Sequence, residues 1–178
     1  MGGDTPIFTT TYVSPVGELV LGEYKESLCL CDWRYRSLRS TVDDRVQKYC
    51  NATYSEGETV LLTEVKSQLD AYFRKDLKIF SLPLYMSGSD FQKSVWNALI
   101  SIPYGHTTSY ATLSENLRNP KAIRAVAAAN GANAIAIIIP CHRVIGSNGD
   151  LVGYAGGMAA KKKLLSLESD TKQLLIPW

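Results

Sequence analysis

The chain reads as an α+β protein with a strand-rich beginning and a helical second half. Three observations predict this. Runs rich in β-branched, aromatic and aliphatic residues at 8–13, 19–24 and 28–33 are separated by turn residues. From residue 61, apolar side chains recur at three- and four-residue steps. Ser89-x-x-Gln92 then has the form of a capping box and opens a second series of helical patterns. The 178 residues, 46% hydrophobic and 20% charged, suit one large domain or two small ones with a real core. No apolar run approaches the ~18 residues of a membrane span.

The first three runs predict an antiparallel sheet. Ser14-Pro15-Val16-Gly17 and Lys25-Glu26-Ser27 supply the two turns. Cys29 and Cys31 stand two apart in the third run, so both are expected on one face as small buried side chains. Leu61/Leu62, Val65, Leu69 and Tyr72/Phe73 then predict one helix. Residues 81–89 lack periodicity and read as a connection between an N-terminal domain, 1–85, and a C-terminal domain, 86–178.

In the second part, Phe91, Val95, Trp96 and Leu99 line one face of a helix that ends at Pro103-Tyr104-Gly105. A short helix is expected over 110–117. Asn119-Pro120 then offers an N-cap with proline at the first helical position, for a helix running to about Asn130 with Gly131 just beyond. A last helix covers about 157–168. Between them, residues 134–139 are apolar and predict a buried extended segment leading to Pro140.

Net charge is +2, but it is unevenly spread. From residue 86 on, nine Lys/Arg face five Asp/Glu; before it, ten face twelve. The basic excess of the second part fits a polyanionic partner, although an ordinary solvated surface would also account for it. Residues 110–130 have the layout of a helix-turn-helix. Its second helix carries Ala122, Ala125, Ala127, Ala128 and Ala129, and Arg118, Lys121 and Arg124 stand nearby to meet phosphates. On this pattern alone, two helices packed through their alanines in a core are the commoner arrangement.

Four cysteines occur without a CxxC pair, and only His106 and His142 could join them. A zinc site is therefore not expected, and a reduced cytoplasmic compartment is. Cys141 differs from the others in context. It follows the buried run, and His142 comes next. A thiol with an ordinary pKa of about 8.5 needs a base to become a nucleophile. His142 suits that task near neutrality, through a bridging water because adjacent side chains diverge. A carboxylate should orient the imidazole, and Glu168 and Asp150 both qualify. A zinc deaminase would need a second cysteine at position 144, which is Val144. No glycine-rich turn follows a strand, as a nucleotide-type cofactor would require.

The string Ile139-Pro140-Cys141-His142-Arg143-Val144-Ile145-Gly146 resembles the active-site signature of the O6-alkylguanine-DNA alkyltransferases, also called methylated-DNA–protein-cysteine methyltransferases. Phe91-Gln92-x-x-Val95-Trp96, Ile102-Pro103-Tyr104-Gly105, Asn119-Pro120-Lys121-Ala122, Arg124-Ala125-Val126 and Gly153-Tyr154-Ala155-Gly156-Gly157 follow in family order. The resemblance covers about residues 61–168. It implies a protein consumed in one reaction, needing no cofactor and no metal. Its partner would be double-stranded DNA containing O6-alkylguanine, and O4-alkylthymine would be a second substrate. It further implies a monomer off DNA, in the cytoplasm or, in a eukaryote, the nucleus.

Carried over by position, the resemblance makes Cys141 the alkyl acceptor, His142 the base and Glu168 its orienting partner. Asn133 would brace the active-site turn. Tyr110 would contact the target nucleotide. Arg124 would fill the gap left by a flipped base, with Lys121 and Ala125 on the same helix in the minor groove. Backbone groups of Cys141 and Val144 would hold the guanine edge. Tyr154 and Ala155 would close the pocket, with Lys161 near them. This sequence departs from the family pattern at Ala134, where proline is usual, at Lys163, where tryptophan is, and at Ala127 and Ala128, where glycines are common.

Overall fold

The computed structural model describes residues 5–169. It is an α+β structure. Strands β1 (Ile7–Ser14), β2 (Gly17–Tyr24) and β3 (Ser27–Trp33) form the antiparallel meander that the turn residues predict. Two elements of the N-terminal half were not anticipated. Helix α1 (Arg39–Cys50) follows the meander, and the short strand β4 (Tyr54–Glu56) adds to β1 in parallel, giving the order β3-β2-β1-β4. Only Val42, Val46 and Cys50 of α1 are buried, so its apolar stripe is too thin to stand out by periodicity.

Cys29 and Cys31 do not share a face. The β2–β3 register shifts at Gly22/Glu23, where a bulge breaks the alternation. Cys31 consequently enters the main core with Leu21 and Leu28, while Cys29 joins Ile7, Leu30 and Cys50 on the other side. All four cysteines are buried and free.

Helix α2 (Val60–Phe73) begins at Thr59, whose hydroxyl accepts from Leu62 N, and buries Leu62, Val65, Leu69 and Tyr72 against the sheet. The connection after it is not a loose tether. Leu28 N donates to Pro83 O and Tyr85 N to Leu28 O, so it runs beside β3. Helix α3 (Asp90–Ile100) opens with the complete Ser89/Gln92 capping box. Its Trp96 is buried and donates from Nε1 to Ala129 O at 2.8 Å, fixing α3 against the next helical pair.

That pair is α4 (Tyr110–Asn116) and α5 (Ile123–Gly131). Arg118 (φ 56°) ends α4 in a Schellman arrangement: its N–H donates to Glu115 O, and that of Asn119 to Ser114 O. The backbone N–H of Asn119 thereby belongs to the close of α4. The residue does not cap α5, which starts at Ile123 without a side-chain cap. The far end of α5 also differs from expectation. Gly131 is its last helical residue, and Ala132 follows in the right-handed region, so no left-handed cap covers the final carbonyls. Arginines from the N-terminal half do so instead. Arg36 Nη2 donates to Gly131 O at 2.8 Å, and Arg45 Nη2 donates to Ala132 O.

Residues 134–139 are buried, and the run pairs with β3 through Ile135 before it turns instead of continuing extended. Ile138 N donates to Ala136 O across Ile137, which has φ 72°. This is a γ-turn with a positive central φ, a rare conformation for a β-branched residue. A short parallel pair, β5 (Thr108–Ser109) and β6 (Val144–Ile145), and helix α6 (Met158–Glu168) complete the structure. Among the described residues no helix is long and apolar enough to cross a membrane.

Candidate active site

The turn around Ile137 is held by one side chain. Asn133 Oδ1 accepts from Ile135 N at 2.9 Å, and its Nδ2 donates to Ile139 O at 2.9 Å. Ile139 O also accepts from Cys141 N at 2.8 Å, across Pro140. Asn133 therefore bridges both ends of the segment that delivers Cys141 to a single 3-10 turn, Cys141–Arg143. Cys141 is 4% exposed. Burial pushes its thiol up, while the Asn133 amide and the Lys161 ammonium pull it back. The resting group is a thiol, and it needs a base to ionise.

His142 is fully buried beside it. Its Nε2 lies 2.7 Å from Glu168 Oε1. Burial lowers the imidazole pKa and Glu168 opposes that shift; the net change is downward. A neutral ring facing an ionised carboxylate must carry its proton on Nε2. Nδ1 is then the lone-pair nitrogen, and it is buried with no protein hydrogen-bond partner among the described residues. Glu168 thus selects the tautomer that leaves a basic nitrogen available.

Glu168 accepts more than one hydrogen bond. Tyr72 Oη donates to Oε1 at 2.7 Å and Arg143 Nη2 to Oε1 at 2.9 Å. Arg143 Nε donates to Oε2 at 2.8 Å, and Gly105 N at 3.3 Å. Burial alone would raise this carboxyl. The bonds from His142 and Arg143 outweigh it and hold the pKa at about 2. Gly105 has φ 77°, and a Cβ there would sit 2.9 Å from Glu168 O, so the glycine permits this approach. Asp150, the alternative orienting residue, is exposed and accepts from Asn148 Nδ2. Glu168 is the carboxylate on His142.

Tyr72 and Arg143 escaped the sequence reading as members of this group. Tyr72 looks like any apolar position of α2, and Arg143 is an arginine inside a motif. Arg143 is 6% exposed, with Nη1 donating to Ile102 O at 2.6 Å and its guanidinium 5.8 Å from the Tyr104 ring centre. Nothing in one sequence marks a buried arginine. Its place inside the Cys-His string was the available signal.

Lys161 is fully buried. Its Nζ donates to Val144 O at 2.6 Å and Val152 O at 3.0 Å, tying β6 to the loop that carries Tyr154 and Ala155. Burial lowers its pKa to about 8. The Tyr154 ring lies edge-on to His142 (6.5 Å) and to Trp33 of β3 (5.8 Å). Ala155 is half-buried beside it. A Cβ on Gly156 would fall 2.3 Å from the Trp33 ring. We expect Gly156→Ala to destabilise the fold by about 1–3 kcal/mol and slow reaction at Cys141, because the loop must leave Trp33. Denaturant unfolding together with a rate measurement on the variant checks this.

The remaining predicted residues lie on the helical pair. Tyr110 starts α4, and its Oη accepts from Asn130 Nδ2 at 3.4 Å. Burial and the neighbouring Cys141 raise its pKa, so it stays protonated. On α5, Val126, Ala129 and Asn130 face inward. Lys121, Arg124, Ala125 and Ala128 are exposed. The alanines thus divide between core and surface, and the outer face combines small residues with two cations.

A buried free cysteine followed by the histidine of an imidazole–carboxylate pair, in the same half of the chain as a helix-turn-helix, defines the class: a protein that joins a thiol-bearing polar site to a nucleic-acid-binding motif. The chain belongs to the 6-O-methylguanine DNA methyltransferase family. Residues 7–86 match the model of that family's ribonuclease-like domain, and residues 90–170 that of its DNA binding domain. A methylated-DNA–protein-cysteine methyltransferase of Methanosarcina acetivorans is 43% identical over 162 residues, 91% of this chain and 98% of that protein. The constitutive enzyme of that name from Bacillus subtilis is 41% identical, covering 89% and 92%. The structure of Mycobacterium tuberculosis OGT in complex with DNA superposes with a TM-score of 0.77 at 40% identity, covering 90% of this chain and 92% of that one.

Proposed function

We propose that this protein repairs O6-alkylguanine, and O4-alkylthymine, in double-stranded DNA by moving the alkyl group irreversibly to Cys141. The observation that carries the reading is the Glu168–His142 pair, which leaves Nδ1 as the lone-pair nitrogen of the residue that follows the buried free thiol Cys141. A water relays the Cys141 proton to Nδ1, and Glu168 stabilises the imidazolium that results. Sγ attacks the alkyl carbon, the C–O6 bond breaks, and its electron pair leaves on the guanine, which is protonated or hydrogen-bonded as it departs. The thioether is stable, so each molecule reacts once and needs no cofactor.

The base must leave the stack to reach a cysteine this deeply placed. The exposed Ala125 and Ala128 surface of α5 permits a close approach to the minor groove, with Lys121 on phosphate and Arg124 in the gap. Tyr110 contacts the target nucleotide. Val144 O already accepts from Lys161 and keeps a second lone pair for the base edge, as does Cys141 O, which accepts from Val144 N. On this reading residues 1–85 support, residues 86–178 bind and react, and the protein acts as a monomer before it meets DNA.

The direct test is intact-protein mass spectrometry after incubation with a duplex holding one O6-methylguanine. The expected result is a gain of one methyl per protein, on the peptide containing Cys141. Intact DNA binding with no mass gain would instead support a lesion-binding protein. Arg124→Ala should slow transfer from duplex DNA by about tenfold or more while sparing reaction with a free O6-alkylguanine base, since only the duplex leaves a gap to fill. Equal losses on both substrates would refute the intercalating role.

A further inference from the structure

We propose that the buried Asp32–Arg36 pair of the N-terminal half positions the acceptor cysteine, by gripping the end of α5 and the turn that Asn133 braces. The inference rests on the reading of Cys141 as alkyl acceptor. Asp32, at the end of β3, is fully buried. Arg36 Nη1 donates to both its oxygens, at 3.0 and 3.1 Å. The same guanidinium reaches across to the C-terminal half: Nη1 contacts Asn133 O at 3.3 Å, and Nη2 contacts Gly131 O at 2.8 Å. Arg45 takes the intervening Ala132 O. Three successive carbonyls at an uncapped helix end are thus satisfied by two cations, where the helix dipole is negative.

From there the path to the thiol is short. Asn133 Nδ2 holds Ile139 O, and Ile139 O holds Cys141 N. Alongside, Cys31 N donates to Ala134 O at 2.8 Å and Ala136 N to Cys31 O at 2.7 Å, so β3 itself pairs with the active-site segment. That segment contains Ile137 at φ 72°, a conformation that persists only when its surroundings impose it. Among the described residues, the planar guanidinium is the one group that hydrogen-bonds Asp32, the helix end and Asn133 together. Buried ion pairs contribute little net stability over apolar replacements, so the fixed geometry of this one is its main effect.

Arg36 is therefore a positioning residue, and so is Asp32 through it. The test compares Arg36→Lys, Arg36→Met and Asp32→Asn with the unaltered chain in single-turnover methyl transfer from an O6-methylguanine duplex. Arg34→Met serves as a charge-loss control; Arg34 pairs with Glu18 at the surface. Lysine keeps the charge but cannot span Asp32 and two carbonyls at once. We expect the maximal rate to fall about tenfold or more in all three variants, lysine included, with DNA affinity within about twofold and the control unchanged. Rates are expressed per folded molecule, from circular dichroism melts. Because Arg36→Lys keeps a cation opposite Asp32, it decides the matter where Arg36→Met or Asp32→Asn misfolds. Variants that transfer at the unaltered rate per folded molecule, or that lose rate only through weaker DNA binding, would overturn the inference and leave the alkyl-acceptor reading standing. No transfer by the unaltered chain would overturn both.

Discussion

Cys141→Ala should abolish methyl transfer altogether while duplex binding persists. No other thiol stands in its place. Cys29, Cys31 and Cys50 are buried in the N-terminal half, none of them next to a histidine in the sequence, and burial drives the Cys31 thiol far up. Removing one sulfur from a 4% exposed position leaves a small cavity, for which a loss of about 1 kcal/mol is expected, so the variant should remain folded. Lys121, just before α5, and Arg124 and Ala125 on it are exposed and lie outside that cavity. Duplex affinity should then stay within about twofold of the unaltered chain, since phosphate contacts dominate it. Mass spectrometry after exposure to the methylated duplex, with a gel-shift titration in parallel, measures both quantities. Any methylated variant protein would show that the acceptor lies elsewhere.

Replacing Glu168 should have the next largest effect, on rate and stability together. Glu168→Gln removes the charge that Arg143 and His142 share, and leaves Arg143 buried without its ion pair. Breaking such a pair costs about 3–5 kcal/mol. Transfer should slow by about a hundredfold or more, because the amide no longer favours the proton on Nε2 of His142 or stabilises the imidazolium. Tyr72→Phe removes one neutral donor to the same carboxylate and should have a smaller effect on both.

The pH dependence follows from the same group. The Glu168 carboxyl titrates at about 2 when folded, and near 4.3 when unfolded. A carboxyl lowered on folding contributes its full stability above the unfolded value. That contribution, about 3 kcal/mol, fades as pH falls from roughly 5 toward 2. Urea unfolding at pH 7 and pH 3 should therefore show a gap between the unaltered chain and Glu168→Gln that narrows at the lower pH. A constant gap would mean that Glu168 is not the titrating group.

Much of this was legible in the residues. The meander, α2, the capped α3 and α6 each carry a strong local signal, and so they lie within a residue or two of their predicted bounds. The Cys-His string pointed to a nucleophile and a base because those two residues are neighbours in sequence. Where local rules compete, the outcome was decided elsewhere. Asn119-Pro120 suits a helix start, yet Asn119 closes α4 through its N–H and a turn through its carbonyl, and α5 begins only at Ile123. Residues 134–139 have the composition of a strand, yet Asn133 folds them into a tight turn.

The sequence by itself determined the order of the meander, α2 and the later helices, and set a candidate thiol and base side by side, because periodicity, caps and adjacency act over a few residues. The resemblance had named Glu168, and the tertiary structure set it rather than Asp150 on His142, added Tyr72 and Arg143 to it, and placed Arg36 and Arg45 on the open end of α5. Each of these is a polar contact between residues distant in the chain. Burial makes such groups find partners, but only the packed arrangement of sheet and helices decides which partners come within reach.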